Sequence, residues 1–140
     1  MNIKEMKRFV YSNYPEYRRS WTLERIMDQK FLKIIATRNK SESLRRCALH
    51  NILDINFLKR RAVKDKDEDC RWAAINSLVM QDHPSFQDFF KDRALNEEYW
   101  AIRNELLKEI EDEQFLRVRS TEDKDESCRK TALRRLEQIK

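Results

Sequence analysis

The chain repeats itself, and no other feature restricts its possible folds as strongly. Asp54 to Leu78 reads DINFLKRRAVKDKDEDCRWAAINSL. Twenty-six residues earlier, Asp28 to Ile52 reads DQKFLKIIATRNKSESLRRCALHNI, and 58 residues later, Asp112 to Leu136 reads DEQFLRVRSTEDKDESCRKTALRRL. A divergent copy from Phe89 to Ile110 is displaced from the Asp54 unit by 32, because six extra residues stand near Met80–Ser85. Self-similarity at such a period marks a repeat architecture, in which each unit buries its apolar face against its neighbours.

The repeats are helical. The chain has no glycine and only two prolines, which suits short helix–helix connections better than β-hairpins. Each unit reads as helix A, a turn and helix B. Asp28, Asp54 and Asp112 stand three residues before Phe31, Phe57 and Phe115, at the N-cap of helix A. Ser41, Asp67 and Asp125 stand at the N-cap of helix B, with Asn96 expected to cap it slightly earlier in the third copy. The helix B stripes are Leu44/Ala48/Leu49/Ile52, Cys70/Ala74/Ile75/Leu78, Ile102/Leu106/Leu107/Ile110 and Cys128/Ala132/Leu133/Leu136. At ~100° per residue each forms one arc. Residues 2–12 predict a first helix, and Pro15 opens a second over about Glu16–Met27. Asp82-His83-Pro84 predicts that the extra residues lengthen the third helix A. The expectation is one all-α domain over 1–140, an α-solenoid of about five antiparallel helix pairs. A degenerate capping repeat spans 1–27, followed by repeats 28–53, 54–79, 80–111 and 112–140.

The phrase D..FL...A..DKDE.CR.AAL..L resembles the HEAT-like repeat, in the short form found in phycobilin-lyase-type scaffolds, over residues 13–140. The resemblance implies a right-handed armadillo-like superhelix whose second helices line a concave face. It also implies a protein that mostly binds other proteins, with nucleic-acid binders and a few enzymes among its relatives.

One arginine per helix B, Arg45, Arg71, Arg103 and Arg129, falls one position after the first stripe residue, inside the apolar arc. Arg19 is a possible fifth. A guanidinium there needs partners, and the preceding turns offer Asp65 and Asp67 to Arg71, and Asp123 and Asp125 to Arg129. A structural lattice is favoured over an anion-binding ladder. Lys33, Lys59, Lys91 and Arg117 form a second basic row near 200°, the place of a solvated face. The outward face of helix B carries Arg46, Trp72, Asn104 and Lys130, and one turn later His50, Asn76, Lys108 and Arg134. These are the candidate binding residues. Trp72 stands open between an interface anchor and an ordinary surface tryptophan.

No catalytic residue, cofactor or metal site is expected. Cys70 and Cys128 occupy a stripe position and Cys47 lies beside it, so they read as small hydrophobes. His50 and His83 lack metal-ligand spacing. There is no apolar run of the ~20 residues a membrane span needs, and MNIKEMKRFV lacks a secretory signal's apolar core, so a cytoplasmic protein is expected. The net charge of +5 is uneven: residues 1–52 carry +7 and residues 79–110 carry −3. The resulting expectation is a non-enzymatic protein-binding module whose partner is acidic or mixed. The alternative is nucleic-acid binding through the basic N-terminal half. Third is an enzyme or accessory subunit of the phycobilin-lyase or DNA-glycosylase kind, against which Trp72 has no acidic neighbour one or two turns away on its face.

Overall fold

The computed structural model describes residues 1–139, so Lys140, the last residue of the fifth repeat, lies outside the described residues. Among these residues there are ten α-helices, a single 3-10 turn and no strand. The chain divides into two compact units, the first ending at Gln81 and the second beginning at Asp82. The first holds α1 (Ile3–Val10), α2 (Glu16–Leu23), α3 (Gln29–Arg38), α4 (Glu42–His50), α5 (Ile55–Lys64) and α6 (Glu68–Gln81). In it α1 packs on α2, α3 on α4 and α5 on α6, while α4 packs on both α2 and α6. The second unit holds the 3-10 turn Pro84–Phe86, α7 (Gln87–Asn96), α8 (Trp100–Leu107), α9 (Glu113–Glu122) and α10 (Glu126–Ile139). There α7 packs on α8, α9 on α10, and α8 on α10.

Both cores follow from the stripes. Leu44, Ala48, Leu49, Cys70, Ala74 and Leu78 are fully buried in the first unit, as are Ile102, Leu106, Leu107 and Ile110 in the second. Each large side chain contributes about 1.5–3 kcal/mol by leaving water. The alanines at α4 and α6 let those helices lie close together. Leu133 departs from the stripe. It is 51 % exposed, although Leu49, Ile75 and Leu107 at the same repeat position are buried. Within the first unit α6 packs on α4, which carries Leu49, and within the second α10 packs on α8, which carries Leu107.

The N-cap aspartates have two tasks. Asp28, Asp54 and Asp112 each accept a hydrogen bond from the backbone N–H of Phe31, Phe57 and Phe115, at 3.0–3.1 Å. Their other oxygens hold the ammonium groups of Lys7, Lys33 and Lys91, the last two at 2.7 and 3.2 Å. The second basic row is therefore not a free solvated face. Each of these lysines leans 21 residues forward onto the start of the next helix A. These bonds hold the carboxyls below their ordinary range. Lysine is the first cause for Asp28 and Asp54, and the Phe115 amide is the first for Asp112. Arg117, in the same row, bonds Glu113 on its own helix at 3.4 Å. The opening helix pair keeps this register too, since Asn2 caps α1 by accepting from Glu5 N–H at 2.9 Å.

Three boundaries differ from expectation. Helix α2 stops at Leu23 rather than Met27. Arg25 and Ile26 N–H turn back to Thr22 and Leu23 carbonyls, a tightened last turn that carries Ile26 fully into the core. The extra residues do not lengthen the third helix A, because α7 has ten residues, as do α3, α5 and α9. They extend α6 to fourteen residues instead. Asp82 then takes a left-handed φ of 44°, a region aspartate tolerates. His83, extended before proline, accepts from Ser85 N–H at 3.1 Å and starts the 3-10 turn. Finally, Asn96 does not cap α8. It ends α7 and bonds back to Asp92, while Tyr99 takes the N-cap position with no side-chain bond. Ser41, Asp67 and Asp125 do cap α4, α6 and α10, accepting from Leu44, Cys70 and Cys128.

Candidate functional site

The four arginines one position into the helix B stripe are packed, not displayed. Each donates Nη1 to a carbonyl six residues back: Arg45 to Asn39, Arg71 to Asp65, Arg103 to Glu97 and Arg129 to Asp123, at 2.6–3.0 Å. Arg45 and Arg103 are 4 % and 3 % exposed. Their carboxylate partners come from the turn of the following repeat, 20 residues on, rather than from their own. Arg45 Nε meets Asp65 Oδ2 at 3.4 Å. Arg103 meets both oxygens of Asp123 at 3.1 Å. The reason is that Asn39, Asp65, Glu97 and Asp123 each fold onto the N–H two residues ahead, closing their own turn at 2.9–3.1 Å. In the Asp65 and Asp123 turns the backbone carbonyl goes to the local arginine, Arg71 or Arg129, and the carboxylate to the arginine before it, Arg45 or Arg103. Burial pushes the Asp123 carboxyl up, but Arg103 and the Asp125 amide outweigh it and hold it below the ordinary range. Asp67 and Asp125 serve as caps and not as arginine partners.

The outward positions of the second helices behave differently in the two units. In the first, Trp72 on α6 is 38 % exposed and His50 on α4 is exposed, while Asn76 is half-buried. Arg46 lies between two acids, Glu42 at 3.7 Å and Asp69 at 3.8 Å. A cleft of about 330 Å³ separates α2 from α4, with Arg46 and His50 on one wall and Tyr17, Trp21 and Glu24 on the other. Tyr17 and Trp21 stand edge to face, 5.2 Å apart, both more than half exposed. Trp21 stands at the repeat position of the buried Cys47 and Ala73, and nothing in the sequence singled it out.

In the second unit, Lys108 pairs with Glu105 at 2.9 Å and Lys130 with Glu126 at 3.2 Å on their own helices. Arg134 is exposed. Asn104 is not an outward group. It is half-buried and accepts from the Thr131 hydroxyl of α10. Tyr99 and Trp100 are both exposed, by 40 % and 44 %.

Among the described residues, Glu42, Asp67 and Cys70 place possible metal ligands within 4.8 Å of one another. Their other engagements account for the cluster. Asp67 caps α6, Glu42 pairs with Arg46, and the Cys70 thiol donates to the Glu42 carbonyl at 3.4 Å. Cys47 and Cys128 donate in the same way, to Ser20 and Trp100 carbonyls at 3.3 Å. Burial pushes all three thiols up to about 12. Since the thiolate is the nucleophile, the native protein should react with an aromatic disulfide reagent at pH 8 far more slowly than a free thiol. All three cysteines should react at once in denaturant. A fast equivalent in the native protein would contradict this burial.

No helix among the described residues is long and apolar enough to cross a membrane. Compared with known proteins, the chain matches no protein-family model, no curated protein and no solved structure.

Proposed function

We propose that this chain is a non-enzymatic protein-binding module, a HEAT-like α-solenoid of about five helix pairs that binds through its second helices. The observation that carries the reading is the face of α2, α4 and α6. Trp21 and Trp72 are exposed there on either side of Arg46, on helices packed in succession. Aromatic and arginine side chains are what interface hot spots favour. Glu16, Glu24, Glu42 and Asp69 share that face with Arg46 and His50, so it suits a partner of mixed charge. Nucleic-acid binding is the second reading, favoured by the +7 of residues 1–52.

A capture experiment with the full chain separates the two. Protein partners should survive nuclease and be lost with Trp72→Ala and with Arg46→Glu. Duplex DNA should bind weakly, around 10⁻⁴ to 10⁻⁶ M at physiological salt, whatever its sequence. Sub-micromolar duplex binding, falling with salt at a slope near −0.9 per neutralised phosphate, would overturn the protein-binding reading.

A further inference from the structure

The densest charge in the first unit lies away from the tryptophan face, at the edge formed by the α3–α4 and α5–α6 turns. A cavity of about 280 Å³ opens there between Arg38, Lys40, Arg45, Arg61, Lys64 and Lys66. The one acid in its wall is Asp65, whose two oxygens are already engaged by Arg45 Nε and by Asp67 N–H. None of Arg38, Lys40, Arg61, Lys64 and Lys66 has a carboxylate within ion-pair distance among the described residues.

Helix-end electrostatics explains part of this. Arg38, Arg61 and Lys64 stand in the last turns of α3 and α5, where cations are favoured. It does not explain Lys40 and Lys66, which lie in the turns themselves, nor the state of Arg45. Arg45 is 4 % exposed, donates Nη1 to two carbonyls and Nε to Asp65, and its Nη2 has no acceptor among the described residues. The second unit supplies an internal control. Arg103, at the same repeat position, donates Nη2 to Asp123 at 3.1 Å. Around it Asn96, Glu98 and Glu122 replace Arg38, Lys40 and Lys64. The same backbone edge is thus balanced in one unit and strongly cationic in the other, with one guanidinium edge of Arg45 left without an acceptor.

We propose that this edge is a docking pocket for a phosphorylated serine or threonine side chain of the partner protein. A phosphate monoester carries about −1.5 to −2 charges and three acceptor oxygens, which matches several converging cations better than a single carboxylate does. The half-buried Arg61 and the open edge of Arg45 offer planar donor pairs suited to phosphate oxygens. The exposed lysines add charge without fixed geometry. A nucleic-acid backbone is disfavoured because the acids at the corresponding edge of the second unit give no repeated basic track. The inference rests on the protein-binding reading above and supplies a recognition chemistry for it.

The test uses the full chain and N-acetyl-phosphoserine N-methylamide as probe, at constant ionic strength, with NMR of the Arg61 side-chain N–H as readout. Its unphosphorylated twin, inorganic phosphate and a short DNA duplex are run beside it. The phosphorylated probe should give a saturable shift at Arg61, about tenfold tighter than any response to the twin, as charge-assisted bonds require. Lys64→Glu with Lys66→Glu, both exposed and outside the buried lattice, should weaken it by about tenfold or more. Lys130→Glu in the second unit should leave it unchanged. Equal responses to probe and twin overturn the proposal. So does phosphate binding that ignores the lysine changes, which would mark an adventitious ion only. Duplex binding tighter than the probe, lost with the same lysines, transfers the pocket to nucleic acid and also overturns it. If the pocket fails while Trp72-dependent, nuclease-resistant capture persists, only this inference falls. If capture itself fails, the module reading falls.

Discussion

Replacing Arg103 by alanine should lower stability by about 3–5 kcal/mol, the largest single effect expected in the molecule. The change leaves Asp123, 3 % exposed, without the two bonds that hold its charge in the core. It also strips the Glu97 and Glu98 carbonyls of their donor. Denaturant midpoints followed by helical circular dichroism would measure it. The pair need not stabilise the fold relative to an apolar pair of similar size. Arg103→Met combined with Asp123→Leu should therefore recover most of the loss. It should fall short by about 1 kcal/mol, because Asp123 also closes its own turn on Asp125 N–H. A double variant as unstable as the single would show that the carboxylate–guanidinium bond itself is required.

Leu107→Ala and Leu133→Ala form a matched pair, the same residue at the same repeat position in α8 and α10. Leu107 is fully buried and Leu133 is 51 % exposed. Truncating the first should cost about 2–5 kcal/mol through lost transfer energy and the cavity left behind. Truncating the second should cost less than about 1 kcal/mol, as changes outside a packed core do. Equal losses would mean that α10 is covered in solution by something that packs on Leu133.

Much of the local structure was legible because it is local. A cap at Asp28, Asp54 or Asp112 is a relation between residues three apart, and the stripe is a relation within one helix. What could not be read were relations between repeats. On a single-helix wheel Lys33 points away from its own core, so it reads as solvated. It becomes half-buried only because Asp54 of the next unit comes up beside it. The same blindness assigned Asp123 to Arg129 in its own repeat, when its carboxylate serves Arg103. The cationic edge is spread over two turns about one period apart in sequence, so no window along the chain contains it. Trp21 was not singled out, because Cys47 and Ala73 stand at its spacing in the next two copies and no recurring aromatic marks the position. The extra residues near Pro84 misled in another way. A correct start signal at His83 was read as the start of an α-helix, when it begins a 3-10 turn.

The lysine-to-aspartate joint has an implication for how such a chain can lengthen. Three copies share one fastening, a lysine that grips forward and an aspartate that is gripped from behind, as Lys7 on Asp28, Lys33 on Asp54 and Lys91 on Asp112 show. A duplicated unit spliced between two others would meet a compatible fastening at both seams without a single new substitution. The joint is a reusable coupling, and a gene segment carrying both of its parts could multiply in place with each new seam still able to close.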